Sequence, residues 1–137
     1  MPGIDECLLE VMRLPGARGA AVVDWTSGLA LGTVGAARNG DHEADAAESA
    51  ELARIAAEHN AFSPADGSDW SHGSASEKAP PVEDVIVTNR DSYHLLRFVR
   101  TTFDSSVFLH LWMGRDEGNL ALARLRLADI ADRMVLG

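Results

Sequence analysis

Three groups of residues in this sequence have the types and spacing of chemical sites. Asp24, Thr26 and Ser27 lie within four positions, and Asp, Ser and His recur between Asp69 and Ser74 in the stretch DWSHGS. The first group has polar types that could belong to an active site, and the second has the Ser, His and Asp of a hydrolytic triad, in which a base activates a hydroxyl nucleophile. The third group consists of carboxylates and an imidazole, which are ligands of divalent cations: Asp41, His42, Glu43 and Asp45.

The context of each group favours a structural role. The residues from Asp24 to Gly28 have the composition of a tight turn, because Asp and Ser bond to nearby backbone and Gly tolerates positive φ. The DWSHGS stretch lies in a Gly- and Ser-rich segment, which gives a triad no rigid scaffold. The acids at 41–45 are expected at the solvated entrance of a helix, where the dipole favours negative charge. The sequence therefore predicts no catalytic residue, no metal ligand and no cofactor-binding residue.

Two histidines, His94 and His110, lie in apolar segments that read as strands. His110 shares its strand face with Phe108 and Trp112, where a neutral imidazole with one hydrogen-bond partner is tolerated. We expect both histidines to be packed strand residues and not general bases. The motifs G-x-x-x-x-G-K-[ST], H-E-x-x-H and G-x-S-x-G do not occur in the sequence.

Charge and length narrow the class of protein. Residues 40–84 hold 11 acidic side chains against Arg54 and Lys78, so this segment alone carries the net charge of −9. Such a block repels phosphates, which argues against a nucleic-acid partner. A length of 137 residues fits one domain, and no apolar run approaches the ~20 residues of a membrane span. The single cysteine, Cys7, cannot form an internal disulfide, which predicts a cytoplasmic protein.

Hydrophobic periodicity predicts the element order α-β-β-α-β-β-β-α. Short connections between strands predict a mostly antiparallel sheet. The last strand is apolar on both faces, which is typical of a central strand with both sides covered. Residues 61–81 are rich in Ser, Gly, Pro and Ala and are expected to form a flexible loop. The predicted strands are Ala20–Asp24, Leu29–Val34, Val82–Thr88, Tyr93–Arg100 and 106–113; the predicted helices are 4–12, Asp45–Asn60 (with Asp45 and Glu48 as a capping box) and a C-terminal helix capped by Asp116 or Asn119.

The middle helix carries a line of small side chains at helical spacing. This line would let another helix approach closely, whereas the alternative is that alanine is simply a good helix former. Its members are Ala46, Ala50, Ala53 and Ala57.

The complete pattern resembles the Roadblock (dynein light chain) family. The segment LPGARGAAVVDWTSGLALG is similar to the family signature: a helix ending in Pro-Gly, a short strand, an Asp, a turn closed by Gly, and a second apolar strand. The Ala-rich helix, the strand trio VEDVIVTNRDSYHLLRFV…SVFLHLWM and the terminal helix continue the match. The resemblance implies an α+β fold over one domain, residues 1–137, in which a five-stranded, mostly antiparallel sheet lies between helices, as in profilin-like and longin-like folds.

The resemblance also implies a function. Bacterial family members commonly accompany Ras-like GTPases as scaffolds or activators, so the expected role is a non-enzymatic homodimeric adaptor that binds a Ras-like small GTPase, with stimulation of GTP hydrolysis as one candidate activity. In the implied homodimer the second strand meets its counterpart and the middle helices pack together. The expected dimer interface consists of Leu29, Leu31, Thr33, Ala46, Ala50, Ala53 and Ala57. The candidate contacts with a partner are Trp25, Glu51, Arg54 and Glu58.

Two other classes of function are open at this point. A PAS- or GAF-like small-molecule sensor of a bacterial signalling pathway uses a similar sheet with one face open to a ligand. An enzyme would require the Asp, His and Ser groups above to converge in the fold. The resemblance transfers no catalytic residue to this sequence.

Overall fold

A five-stranded antiparallel sheet organises the chain, with helices on both of its faces. The computed structural model describes residues 3–65, 81–100 and 106–134. The strands are ordered β2-β1-β5-β4-β3 across the sheet. The elements are α1 (Ile4–Val11), β1 (Ala17–Asp24), β2 (Leu29–Gly35), α2 (His42–Glu58), β3 (Asp84–Thr88), β4 (Ser92–Phe98), β5 (Val107–Gly114) and α3 (Leu120–Arg133).

The predicted element order and the antiparallel pairing are confirmed. The predicted start of α2 at Asp45 is wrong, because Asp41 caps the helix by accepting hydrogen bonds from the backbone N–H groups of Glu43 (3.0 Å) and Ala44 (3.3 Å). Asp45 instead accepts the backbone N–H of Arg38 at 2.8 Å. Asp41 and Asp45 are both suitable N-cap residues, so the sequence alone does not decide which of them begins the helix.

The first core lies between the sheet and the helices α1 and α3. As predicted, Leu95 of β4 and Leu109 of β5 point to this side, and both are at most 1% exposed. Gly32 of β2 lies directly under α1, since a Cβ at this position would come within 2.6 Å of Ile4 Cγ2. Burial of each large aliphatic side chain contributes about 1.5–3 kcal/mol, so this layer is a major source of stability.

The second core lies on the opposite face, beneath α2. It contains Val23 of β1, Leu96 and Phe98 of β4, and Phe108 of β5, again on the faces that the alternating pattern predicts. α2 runs over β1 and β2, which leaves the β3–β4 side of this face less covered. In the following, the α2 face means this side of the sheet.

β5 is the central strand, as its two apolar faces predict. It pairs with β1 on one side and with β4 on the other. β1 begins at Ala17 and not at the predicted Ala20, because its first residue pairs with Met113 of β5. β2 and β3 are the two edges of the sheet.

The predicted flexible segment 61–81 lies mostly outside the described residues. Asn60–Phe62 form one turn of 3-10 helix, in which Phe62 is exposed. Within the described ranges, no helix has the length and hydropathy needed to cross a lipid bilayer.

Candidate functional site

The turn between β1 and β2 accounts for the first group of polar residues. Asp24 Oδ1 accepts the backbone N–H groups of Thr26 (2.8 Å) and Ser27 (3.4 Å), and it also accepts the hydroxyl of Ser106 (3.1 Å). Gly28 adopts φ +79° and donates its N–H to the Asp24 carbonyl at 2.8 Å. The prediction that these residues build a tight turn is confirmed, since the Asp24 carboxylate is engaged in shaping it.

The acids near the start of α2 have separate structural tasks. The Asp41 carboxylate caps the helix, and the Asp45 carboxylate holds Arg38 and Asn39 of the preceding segment. His42 Nε2 lies 3.1 Å from the Gly35 carbonyl oxygen. In the part of the chain that the structure describes, no three His, Cys, Asp or Glu side chains converge as metal ligands. The DWSHGS stretch lies outside the described residues.

The alanine line of α2 faces the sheet of its own chain. Its four members are 0–3% exposed and pack on β1, β4 and β5 residues of the second core. The prediction that they contact a second copy is corrected by this burial, because no surface remains on them for another helix. Small side chains are needed here for close packing of α2 on its own sheet. The residues concerned are Ala46, Ala50, Ala53 and Ala57.

Trp25 is also buried, at 6% exposure, and belongs to the second core. The Nη1 of Arg54 donates to the backbone oxygen of Trp25 at 2.5 Å. The prediction that Trp25 is a partner contact is therefore wrong, and Arg54 is half-buried and bound within the chain. Of the four predicted partner contacts, Glu51 and Glu58 remain exposed.

The exposed surface of α2 is divided into two ridges. We call the residues 47, 51, 54 and 58 the acidic ridge. This ridge borders the β1–β2 hairpin, because Arg54 binds the backbone oxygen of Trp25 and Ala47 lies close to Gly28. The opposite ridge turns towards β3 and contains Leu52 and Ile55, since Leu52 lines a groove together with Val87 of β3. Residues four and three apart share a helix face, so the exposed Glu48 lies on the same side of α2 as Leu52 and lines the same groove.

The neighbouring elements α2 and β3 both expose large apolar side chains, and we call these residues the α2–β3 patch. It consists of Leu52, Ile55 and Val87, and Ile55 is 51% exposed. Val85 of β3 is half-buried against the second core beside it. Several large apolar residues exposed on neighbouring elements indicate an interaction surface.

The edge strand β2 is the second exposed apolar surface. Leu29 is 64% exposed, Leu31 is 47% exposed, and Thr33 is exposed beside them. The strand pairs only with β1 among the described residues. This placement leaves the three predicted interface residues of β2 accessible to another chain.

The groove between α2 and β4 contains a histidine pair that the sequence did not reveal as a pair. His94 Nδ1 and His110 Nε2 lie 2.8 Å apart, and both line a groove of about 280 Å³. Burial, together with the nearby His94, lowers the pKa of His110 to about 4; burial likewise lowers the pKa of His94. Both imidazoles are therefore neutral at pH 7, as predicted for His110, and one donates its N–H to the other.

The fold of this chain is similar to that of solved Roadblock-type proteins. MglB of Myxococcus xanthus matches with a TM-score of 0.68 and 17% identity, covering 94% of this chain and 82% of MglB. A Roadblock/LC7 domain from Streptomyces avermitilis matches with a TM-score of 0.65 and 19% identity, covering 95% of this chain and 92% of that domain. The chain has the Roadblock/LC7 fold.

Three further comparisons define how far the Roadblock likeness extends. The gliding protein MglB of Thermus thermophilus matches with a TM-score of 0.59 and 18% identity, covering 94% of this chain and 88% of that protein. No protein-family model and no curated protein matches the chain. The Roadblock likeness is thus one of backbone architecture.

Proposed function

We propose that this chain is a non-enzymatic, cytoplasmic regulator of a Ras-like small GTPase and that it acts as a homodimer. The Roadblock fold, shared over almost the whole chain with bacterial MglB structures, carries this proposal. The sequence resemblance supports it, because bacterial Roadblock proteins commonly accompany Ras-like GTPases. A regulator of this kind needs surfaces and not a catalytic centre, and the α2–β3 patch and the β2 edge are two such surfaces.

The homodimer forms through the α2–β3 patch in this proposal. Two β3 strands related by a two-fold axis would pair at their free edges, which removes two exposed edges at once. The same axis would bring Leu52 and Ile55 of one α2 against their counterparts. Helix and strand then contribute apolar area together, as homodimer interfaces require.

The β2 edge, which the sequence predicted as the dimer contact, is less suited to a second copy. Two-fold pairing there would place the acidic ridge of one α2 beside that of the other, with Glu51 and Glu58 on each side. Like charges at such an interface are unfavourable. The alanines expected to support this contact are buried within each chain.

The dimer contacts the GTPase through the dimer's own exposed acidic side chains, among them Glu51 and Glu58. Their negative charge favours a basic partner surface and accelerates its association. Regulation follows if the dimer binds one nucleotide state of the GTPase more tightly, because this differential affinity shifts the population towards that state. Stimulated hydrolysis requires that the dimer bind the transition state of GTP hydrolysis more tightly than the GTP-bound ground state of the GTPase.

Binding of a GTPase is tested by co-purification with a Ras-like GTPase from the same organism, loaded with GDP or with a non-hydrolysable GTP analogue. We expect retention of one nucleotide form over the other and weaker retention with Glu51→Arg and Glu58→Arg together. Ala47→Arg, which adds positive charge on the same ridge without removing an acid, is the matched control. Absence of binding in both nucleotide states overturns the proposal.

Dimerisation is tested by multi-angle light scattering of the purified chain. Ile55→Glu and Val87→Glu each place a charge in the α2–β3 patch and should give folded monomers. Leu31→Glu, at the β2 edge, is the matched control and should remain a dimer. A dimer that is lost with Leu31→Glu and kept with Ile55→Glu would instead place the interface where the sequence predicted it.

The groove at the histidine pair supports the sensor as a second candidate function. Its volume of about 280 Å³ is close to the lower end of small-ligand sites, and it lies on the less covered part of the α2 face. Native mass spectrometry of the protein as purified from cells would reveal a bound metabolite. Recovery of the unliganded mass alone favours the GTPase regulator.

A further inference from the structure

β2 lacks the protection that edge strands of natural proteins carry. Its sequence, LALGTVG, contains no charged residue and no proline. Such residues normally prevent an exposed edge from pairing with other chains. The opposite edge differs, because β3 begins with Asp84, which is held by the Nε of Arg124 at 2.6 Å. An unprotected edge with exposed leucines indicates that another strand covers β2.

The flanks of β2 suit a single strand better than a second sheet. α1 packs closely over Gly32, and α2 covers the other face beside the hairpin. A second sheet would bring its own flanking helices against these two. An isolated extended segment needs only the free main-chain groups of β2 and the space between the helices, as in strand addition.

The rim of this edge is acidic on both faces of the sheet. On the α1 side, Asp5 Oδ1 lies 3.8 Å from the position that a Cβ of Gly32 would occupy. On the α2 side, the acidic ridge presents Glu51 and Glu58 to solvent. Among the described residues, none of these three carboxylates forms an ion pair. Charge complementarity therefore selects an occupant with basic side chains.

We infer that the β2 edge binds an extended segment of another protein, with alternating apolar and basic residues, as a sixth strand of the sheet. Main-chain hydrogen bonds to β2 provide affinity, and Leu29 and Leu31 contact the apolar side chains of the segment. In an alternating strand the basic side chains share one face, and on the α2 face Glu51 and Glu58 select its Arg and Lys residues. This surface is separate from the α2–β3 patch and does not depend on a GTPase partner.

The test uses two labelled heptapeptides, one alternating arginine with valine and one alternating glutamate with valine. Fluorescence anisotropy with the full chain should show binding of the basic peptide and none of the acidic one. Backbone amide shifts on binding should map to Leu29–Gly35 and not to Asp84–Thr88. Leu31→Lys should weaken binding about tenfold, equivalent to about 1.4 kcal/mol, while Val87→Lys on the other edge should leave it unchanged.

Three results overturn the inference: equal binding of both peptides, shifts that map elsewhere, or concentration-dependent self-association that Leu31→Lys abolishes, which would mean that a second copy covers β2. Circular dichroism must show that the Leu31→Lys protein is folded. Should it unfold, Thr33→Lys provides the same charge at another exposed position of the strand, and unchanged peptide binding by a folded Thr33→Lys protein likewise overturns the inference.

Discussion

The guanidinium of Arg54 donates a hydrogen bond from Nη1 to the backbone oxygen of Trp25, at 2.5 Å. This contact joins the C-terminal half of α2 to the turn between β1 and β2. The Trp25 side chain is buried in the same core as the α2 alanines, so both its side chain and its backbone oxygen hold α2 on the sheet. The orientation of both ridges of α2 depends on this attachment.

Removal of the guanidinium should therefore destabilise the fold. We expect Arg54→Ala to lower the free energy of unfolding by about 1.5–3 kcal/mol, the range for a hydrogen bond with a charged group. Urea denaturation followed by circular dichroism measures the change. Glu58→Ala, an exposed position on the same ridge, should change stability by less than about 0.5 kcal/mol. Equal effects of both substitutions would contradict a structural role for Arg54.

Ala53→Glu distinguishes an alanine packed on its own sheet from one in a dimer interface. Ala53 is 0% exposed, so a carboxylate there would be buried without a partner, at a cost of several kcal/mol. We expect loss of the folded state in thermal and urea melts. Ala47→Glu, on the exposed ridge of the same helix, should fold normally. A folded Ala53→Glu monomer would restore the interface interpretation.

The histidine pair should make stability depend on pH. The unfolded chain binds a proton at His110 near its ordinary pKa of about 6.5, whereas the folded chain does so only near pH 4. Between these values the unfolded state holds more protons, so stability falls as the pH is lowered. The free energy of unfolding should fall by about 3 kcal/mol when the pH drops from above the unfolded pKa to below the folded pKa of His110. Urea denaturation from pH 7.5 to pH 4 measures this loss.

Groups from several elements face His110 in this groove: His94 on β4, His42 and Asp45 on α2, with Asp45 favouring the protonated form. His110→Gln should flatten the pH dependence, because the amide can still bond to His94 but does not titrate in this range. His59→Gln removes an exposed imidazole and should leave the profile as it is in the unmodified protein. A profile that survives His110→Gln would assign the dependence to other groups.

Gly28→Ala should test the turn that joins the first two strands. Gly28 adopts φ +79°, a conformation that costs residues with a Cβ about 1–2 kcal/mol. We expect a loss of this size in the free energy of unfolding. Gly3→Ala, where φ is −83° and a Cβ meets nothing within 4 Å, is the control. A neutral effect at Gly28 would mean that the turn relaxes to another type.

The sequence predicted the parts of the fold that depend on local pattern. Alternation placed Leu95 and Leu96 on opposite faces of the sheet, and Asn119 was among the predicted caps of α3. The alanine line of α2 was recognised, but helical spacing shows only that residues share a face and not what packs against it. Val23 and Phe108 of the same chain occupy that side.

Long-range contacts explain the other differences. Trp25 follows a strand at a turn, where sequence does not say whether an aromatic side chain folds inward; the Arg54 contact comes from a helix that begins far along the chain. Likewise, each histidine was placed on a strand, whereas their contact depends on the register that pairs Leu96 with His110. Register is set by the whole sheet and does not follow from either segment alone.

The central position of β5 also determines when the fold can be completed during synthesis. β1 and β2 can pair early, and so can β3 and β4, but the two hairpins are joined only through β5, whose last residue is Gly114. A lone hairpin is at best marginally stable in water. A nascent chain that ends before Val107 therefore has no continuous sheet. The chain as far as Gly114 must emerge from the ribosome before the native topology can form.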